Sequence, residues 1–450
     1  MAKPEPAAPN EDHVNRGALG HGKLRQLIAY ASRVFSLEGV LALVTDTRHN
    51  PRIETALVAR ILFVLGLLRI RSFNALEPQL AEPWMHRALG VDPTGKKLCS
   101  ADTLSYSLQR MDASSTREAC VRVIKKAERN KVFREGWYGA MRFVALDGWE
   151  AYSSYERHCP ACLTRQVRVG DKTLTQYYHR YVVALLLDEK VEVVIDMEPV
   201  RSADVRCEHG EQNVKGHEGE LTAAKRLVPR LRQTYGNLLD VLTVDALYCN
   251  GPFFTLAEQH RFGVIAVAKK ADNEPLKEAL SLWGNQPPHN IVDDKHKRER
   301  VGLWDVRDVQ TLSSYKGPIR VVRALVHKNN AEPTAETNWC FAVTGKATRL
   351  SAFQVSLAGR ARWHIENTGF YQFAHYWHFT HVFTHDGNAL PALLWLFFLA
   401  FNLLQLFIYR QLGGYGRERG KDPTRTILRL VDEFNADLAR LLDPLAWNTS

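Results

Sequence analysis

The sequence predicts a mixed α/β protein, and three observations carry that expectation. Apolar residues recur at three- and four-residue spacing from Lys23 to about Asn130, the pattern of helices that bury one face. After Gly136 the period shortens to β-rich runs bounded by polar or turn-forming residues, with helical segments between the later ones, up to Lys270. After Leu350 helices resume. The chain accordingly divides into a polar, Pro-rich tail expected to be disordered (1–21), an all-helical part (22–135), the first half of an α/β core (136–270), a β-rich insertion (271–350) and the helical end of the core (351–450).

In order, LRQLIAYASRVF, ETALVARILFVLGLLRI and STREACVRVIKKAERNKV each carry a helical apolar stripe, and Ser100 or Asp102 is placed to cap a helix over DTLSYSLQRM. RFVAL (Arg142 to Leu146), YYHRYVVALLL (Tyr177 to Leu187) and VEVVIDMEPV (Val191 to Val200) read as strands. Only Asp188, Glu189 and Lys190 separate the second from the third, so they form a hairpin. ELTAAKRLVPRLRQTYG is helical, and Pro229 is expected to kink or split it. VLTVDALY (Val241 to Tyr248), PFFTLAEQHR and GVIAVAKK continue as strand, helix, strand. The insertion adds VGLWDVRDV, IRVVRALVHK and NWCFAVTG as strands, and RARWHIENTGF is read as a helix after it.

With 450 residues, 45% hydrophobic and 24% charged, the composition excludes a disordered, collagenous or disulfide-scaffold protein. Lys and Arg number 59 against 49 Asp and Glu, a formal charge of +10 that suits a polyanionic partner. Seven cysteines are too sparse for a disulfide framework and fit a reducing, intracellular compartment; no signal peptide is readable. The apolar run Ala389 to Tyr409 is long enough to span a bilayer. It carries Pro391, Asn402 and Gln405 and runs into a charged tail, so a helix buried in protein is expected and no membrane partner.

Asp147 stands at the end of an apolar strand in FVALDGWE, where Asp-Gly alone suggests a turn. Asp245 lies within the apolar run LTVDALY, and Glu366 lies on the helical segment RARWHIENTGF. A carboxylate among buried strands is costly unless a cation compensates it. Three acids in the order strand, fourth strand, late helix converge at one sheet edge, and such oxygens can hold two divalent ions for in-line phosphoryl displacement.

FVALDGWE, LTVDALYCNGPFF and RARWHIENTGF resemble the three acidic motifs of bacterial insertion-sequence DDE transposases, and the chain is similar in appearance to their cut-and-paste IS-four group over about Arg142 to Arg410. The resemblance implies an RNase H-like core: a mixed sheet flanked by helices, with a β-rich insertion before the last catalytic helix and a helical amino-terminal DNA-binding domain. It implies that Asp147, Asp245 and Glu366 bind two Mg2+ or Mn2+ ions, and that Arg362, one helical turn before Glu366, positions a phosphate. The spacings of 98 and 121 residues between the acids leave room for the insertion. The implied activity is DNA cutting at element ends and joining of the 3′-hydroxyl to target DNA. The implied partners are DNA with terminal inverted repeats, target DNA and a second copy of the chain, in the bacterial cytoplasm at the nucleoid.

The sequence departs from the group's third motif. Gly359 stands where the group carries Tyr, and Phe373 and Ala374 stand in the region of its Lys, leaving Arg360 or His375 to contact phosphate. The departures support an alternative: a catalytically decayed or domesticated DNA-binding protein of the same descent.

YERHCPACLTRQ holds His158 and a CxxC pair, Cys159 and Cys162, which is half of a tetrahedral zinc site. His179, Cys207 and His209 are the candidates to complete a structural Zn2+ site. Basic residues cluster at 122–131, 223–232 and 295–300, the last including Lys295, Lys297 and Arg298. Together with Arg360, Arg362, Trp304, Trp339 and Trp363 they would suit a groove that neutralises phosphates and stacks unpaired bases.

Overall fold

Ten strands form one mixed sheet among the described residues of this computed structural model, which are 22–134, 141–188, 191–269, 273–295, 297–309, 312–328, 336–413 and 423–448. The tail 1–21 lies outside them, as do residues 189 and 190 of the hairpin connection and His296 of the third basic run. The strands are β1 (Phe143–Ser154), β2 (Leu163–Val169), β3 (Lys172–Leu187), β4 (Val193–Pro199), β5 (Val241–Val244), β6 (Gly263–Val267), β7 (Asn290–Asp294), β8 (Glu299–Val309), β9 (Ile319–Lys328) and β10 (Thr337–Thr344). Their order is β2-β3-β1-β5-β6-β10-β9-β8-β7, with β4 on the same edge of β3 as β2. β1, β5 and β6 run parallel, and the other neighbours pair antiparallel. β5 and β6 are buried throughout, as expected of parallel strands covered on both faces.

Seven helices precede the sheet: α1 (Lys23–Phe35), α2 (Leu37–Leu41), α3 (Thr55–Leu67), α4 (Phe73–Leu76), α5 (Pro83–Ala88), α6 (Ala101–Gln109) and α7 (Ala113–Arg129). Ser100 is the cap of α6, its hydroxyl accepting from the Thr103 N–H, whereas Asp102 sits inside the first turn. Between the strands lie α8 (Ala203–Glu208), α9 (Glu220–Tyr235), α10 (Gly251–Gln259) and α11 (Glu274–Trp283). The chain closes with α12 (Ala352–Ala361), a π-helical turn (Ile365–Phe370), α13 (Tyr371–His375), α14 (Ala389–Gln411) and α15 (Pro423–Leu438).

The long apolar helix is the axis of the helical layer. α14 packs on α1, α3, α6, α7 and β4, and one continuous apolar core runs from Leu24 to Trp447. By length and composition α14 could cross a membrane, yet 94% of its most apolar window is buried inside the fold. Asn402, which is fully buried, explains the polar interruption: its amide accepts from Val194 N at 2.8 Å and donates to Val194 O at 2.7 Å, tying α14 to β4. Pro391 falls in the first turn of α14, where a missing N–H breaks no helical bond.

Several expectations need correction. Pro229 does not split α9, which runs unbroken through it. Asp147-Gly148 is no turn: β1 continues through both residues to Ser154, pairing Asp147 with Val183 and Gly148 with Val182. β2 escapes the periodicity reading because only Leu163 of LTRQVRV is buried, and β7 and α11 escape it within the polar start of the insertion. Within the β-rich insertion, β10 pairs with β6, so its strands prolong the sheet.

Candidate functional site

Asp147 lies in the middle of β1, and Asp245 is the first residue beyond β5. Both strands face each other in parallel register, Phe143 with Val241 and Ala145 with Thr243. That ladder offset equals the 98-residue spacing of the acids; the ladder ends at Ala145 and Thr243, two residues before them, and Asp245 lies near enough to act on the Asp147 carboxyl. Asp245 also caps the short 3-10 turn Ala246–Tyr248, accepting from Leu247 N at 2.9 Å.

Glu366 reaches the same place from the π-helical turn, a local widening of the helix that is common at functional sites. One turn earlier, Arg362 is 2% exposed and bridges two of the acids: Nη1 donates to Asp147 Oδ2 at 2.7 Å and Nη2 to Glu366 Oε1 at 2.8 Å. Its Nε is buried without a hydrogen-bond partner among the described residues. Burial pushes the Asp147 carboxyl up to about 7 against the pull of Arg362 and the Gly148 N–H, and Asp245 and Glu366 add to the rise.

A fourth carboxylate was not foreseen. Glu220, the first residue of α9, pairs with Arg180 Nη1 at 3.0 Å; burial raises its pKa, Arg180 lowers it and Asp245 raises it further. A Cβ on residue 148 would lie 2.4 Å from the Glu220 carboxyl carbon, so the missing side chain of Gly148 is what admits Glu220 beside Asp147. The Tyr248 hydroxyl, buried without a partner among the described residues, feels Glu220, Asp147 and Asp245 together. Nothing in the sequence around Glu220 distinguishes it from a helix-start glutamate.

Asp147 gives a pH test with a definite sign. Its proton stays on to about pH 7 in the native chain but leaves near 3.8 when unfolded, so the native state holds more protons between those values and stability falls as pH rises through that window. In chelator, the stability difference between the wild type and Asp147→Asn should therefore shift against the wild type from pH 5 to pH 7.5. A difference independent of pH in denaturant unfolding would contradict the assignment.

Phe373 and Gly359 explain the two departures in the third motif. Phe373 is fully buried, ring to ring with Trp149, Phe379, Phe398 and Phe401, a core position with no room for a lysine's charge. At Gly359 a Cβ would sit 2.3 Å from the Phe341 ring, so a tyrosine cannot be accommodated there with Phe341 in place. Of the suggested substitutes, Arg360 is engaged by Glu299 at 2.7 Å and His375 packs on Tyr371.

No protein-family model matches the chain, and no curated protein does. The residues alone carry its chemistry.

The CxxC pair and His179 come together as read. Cys159 Sγ and Cys162 Sγ lie 3.7 Å apart, and each is 3.3 Å from His179 Nε2. Among the described residues this is the only set of three such ligand atoms within 4.8 Å of one another, and it could hold a metal such as zinc. The three acids do not form so tight a set, because the Arg362 guanidinium stands between Asp147 and Glu366. The hydrogen bond from Cys159 lowers the Cys162 thiol most, and His179 lowers it further. Cys207 and His209 stay outside this group, exposed on and beyond α8, and His158 stacks on Tyr177.

The basic runs fare differently. Arg226 and Arg230 are consumed by Glu198, Glu218 and Asp196, and Arg232 by backbone carbonyls of residues 236, 260 and 261. Arg122, Lys125, Lys126 and Arg129 line the exposed face of α7. Lys295, Lys297 and Arg298 are exposed at the β7–β8 turn, and the Glu299–Arg360 pair fastens that turn beside the end of α12. Trp304 is core, its Nε1 donating to Gln286 O and its face covered by Arg323. Trp339 is half-buried between Phe341 and Trp363, and Trp363, next to Arg362, is 38% exposed.

Proposed function

We propose that this protein is a DNA transposase that cuts at element ends and joins the freed 3′-hydroxyl to target DNA by metal-assisted phosphoryl transfer. The observation that carries the reading is the bridge of Arg362 between Asp147 and Glu366, with Asp245 near enough to raise the Asp147 carboxyl. An acid from a central strand and one from a late helix meet around one guanidinium, and a third acid, at the end of the neighbouring parallel strand, acts on the first.

The strand order β4-β3-β1-β5-β6, with β1, β5 and β6 parallel, supports an RNase H-like core. The acid character of the site supports a divalent cation: burial and the neighbouring Asp245 and Glu366 make the Asp147 charge costly without a cation beside it, and the buried Tyr248 hydroxyl nearby has no partner among the described residues. Asp147, Asp245 and Glu366 would hold Mg2+ or Mn2+, whose chemistry is to activate water or a 3′-hydroxyl and stabilise the leaving oxygen. Arg362 offsets the charge of the acids, and on this reading it would position a phosphate.

The basic β7–β8 turn supplies phosphate contacts beside the acids, and the α7 face supplies a second basic surface. Trp363, rather than Trp304, is the platform on which an unpaired base can stack. Trp363→Ala is expected to weaken binding of end DNA carrying unpaired bases by about 1–3 kcal/mol in a fluorescence titration, with fully paired DNA affected less. Equal loss on both DNAs would remove Trp363 from that role. The homodimer on paired ends and the nucleoid location follow from the same proposal.

Phe373 and Gly359 favour one other reading, a DNA-binding protein that has kept the fold and lost cleavage. Incubating the full-length chain with the DNA flanking its reading frame separates the two. Mg2+- or Mn2+-dependent nicking and strand joining supports the transposase; binding without cleavage in either ion supports the decayed form.

A further inference from the structure

We infer that His385 is the fourth ligand of a structural Zn2+ site completed by Cys159, Cys162 and His179. Three observations converge on it. First, the three atoms already together have the spacing of a metal set: tetrahedral zinc, with Zn–S near 2.3 Å and Zn–N near 2.0 Å, requires S···S of about 3.8 Å and S···N of about 3.5 Å. The observed separations are 3.7 Å between the sulfurs and 3.3 Å from each to His179 Nε2. The Cys159 carbonyl accepts from Cys162 N at 2.9 Å, closing the turn that brings both sulfurs to one side.

Second, His385 Nε2 is buried and has no hydrogen-bond partner among the described residues. A buried imidazole nitrogen left unsatisfied is costly, and Cys162 and His179 lie near enough to act on the charge of this ring; the ring stands outside the tight set of the other three ligand atoms and closes in when the ion binds. Third, the other ring nitrogen is held as a metal-binding imidazole requires. Nδ1 is 2.9 Å from the Tyr152 hydroxyl, and the Tyr152 ring packs on both imidazoles, 5.1 Å from His179 and 4.9 Å from His385. In the ligating tautomer Nδ1–H donates to the Tyr152 oxygen, freeing the Nε2 lone pair.

The site would join three pieces of chain: the β1–β2 loop through the two cysteines, β3 through His179, and the segment between α13 and α14 through His385. It lies roughly 13–16 Å along β1 and β3 from Asp147, so it is separate from the acids. A chain that cuts no DNA would carry it equally well. The set of two sulfurs and two imidazoles selects Zn2+ over the oxygen-seeking Mg2+.

The test uses the full-length protein purified without chelator, then stripped and reloaded with Co2+ as a spectroscopic probe. Expected are one zinc per chain, tetrahedral Co2+ bands, and thiolate charge-transfer absorption appropriate to two cysteines. His385→Ala should weaken Zn2+ binding by about 100-fold or more, and Tyr152→Phe by about 10- to 100-fold. His385→Cys should retain the metal and raise the charge-transfer intensity by about half, as two thiolates become three; this variant keeps the question open to measurement if the alanine variant does not fold. The inference is overturned if the wild type takes up no zinc, if folded His385→Ala binds within threefold of wild type with an unchanged Co2+ spectrum, or if His385→Cys adds no charge-transfer absorption.

Discussion

Replacing Asp147 or Asp245 by Asn is expected to lower metal-dependent cleavage of end DNA by about 1,000-fold or more, because a ligand to a catalytic ion contributes several kcal/mol of transition-state stabilisation. Asp245→Asn is the cleaner of the two. Its amide oxygen can still accept from Leu247 N, so the cap at the end of β5 survives while the charge is lost. Asp147→Asn removes the charge facing Arg362 Nη1 but leaves Nη2 on Glu366, and the isosteric side chain leaves no cavity. Binding of end DNA should stay within about threefold in both, since the exposed basic turn at Lys295, Lys297 and Arg298 is untouched. Cleavage and binding measured on the same preparations check this, and cleavage within tenfold of wild type in either variant would contradict it.

The largest stability effect is expected at Asp196, on β4. Its carboxylate is fully buried and receives Arg117 Nη2 at 2.6 Å and Arg230 Nη2 at 2.9 Å, with Met197 N at 2.8 Å. Arg117 comes from α7 and Arg230 from α9, so one carboxylate locks the sheet to both helices. Removing it leaves two mostly buried guanidinium groups short of charge, and Asp196→Ala should cost about 3–5 kcal/mol in denaturant unfolding. Loss below about 1 kcal/mol, the range of an exposed ion pair, would show that the network contributes nothing special.

The long, strongly patterned elements were legible: α1, α3, α7, β9 and β10 stand within about three residues of where periodicity puts them. So was the coarse order of helices, mixed sheet and helices. β2 was not, because a hairpin arm exposed on most of its length has no apolar alternation to read. The strand continuing through Asp147-Gly148 was hidden by the turn preference of that dipeptide, which pairing on both sides of β1 overrides. Among site residues, the CxxC pair and His179 could be found because ligand types cluster near one another in sequence. Glu220 and His385 could not, since each acquires its surroundings only when distant segments pack: Glu220 over Gly148, and His385 against Tyr152. Basic runs were the least informative signal. Two look alike in sequence, yet 223–232 is largely spent on internal ion pairs while the side chains of Lys295, Lys297 and Arg298 are exposed.

The most direct measurement is anomalous scattering from Mn2+ in crystals of the full-length chain bound to DNA. If Asp147, Asp245 and Glu366 form the catalytic centre, manganese should sit against the Asp147 and Asp245 carboxylates, within reach of Glu366, with Arg362 turned away from at least one acid. Saturating Mn2+ that leaves no peak at Asp147, with Arg362 still joining Asp147 to Glu366, would contradict the account.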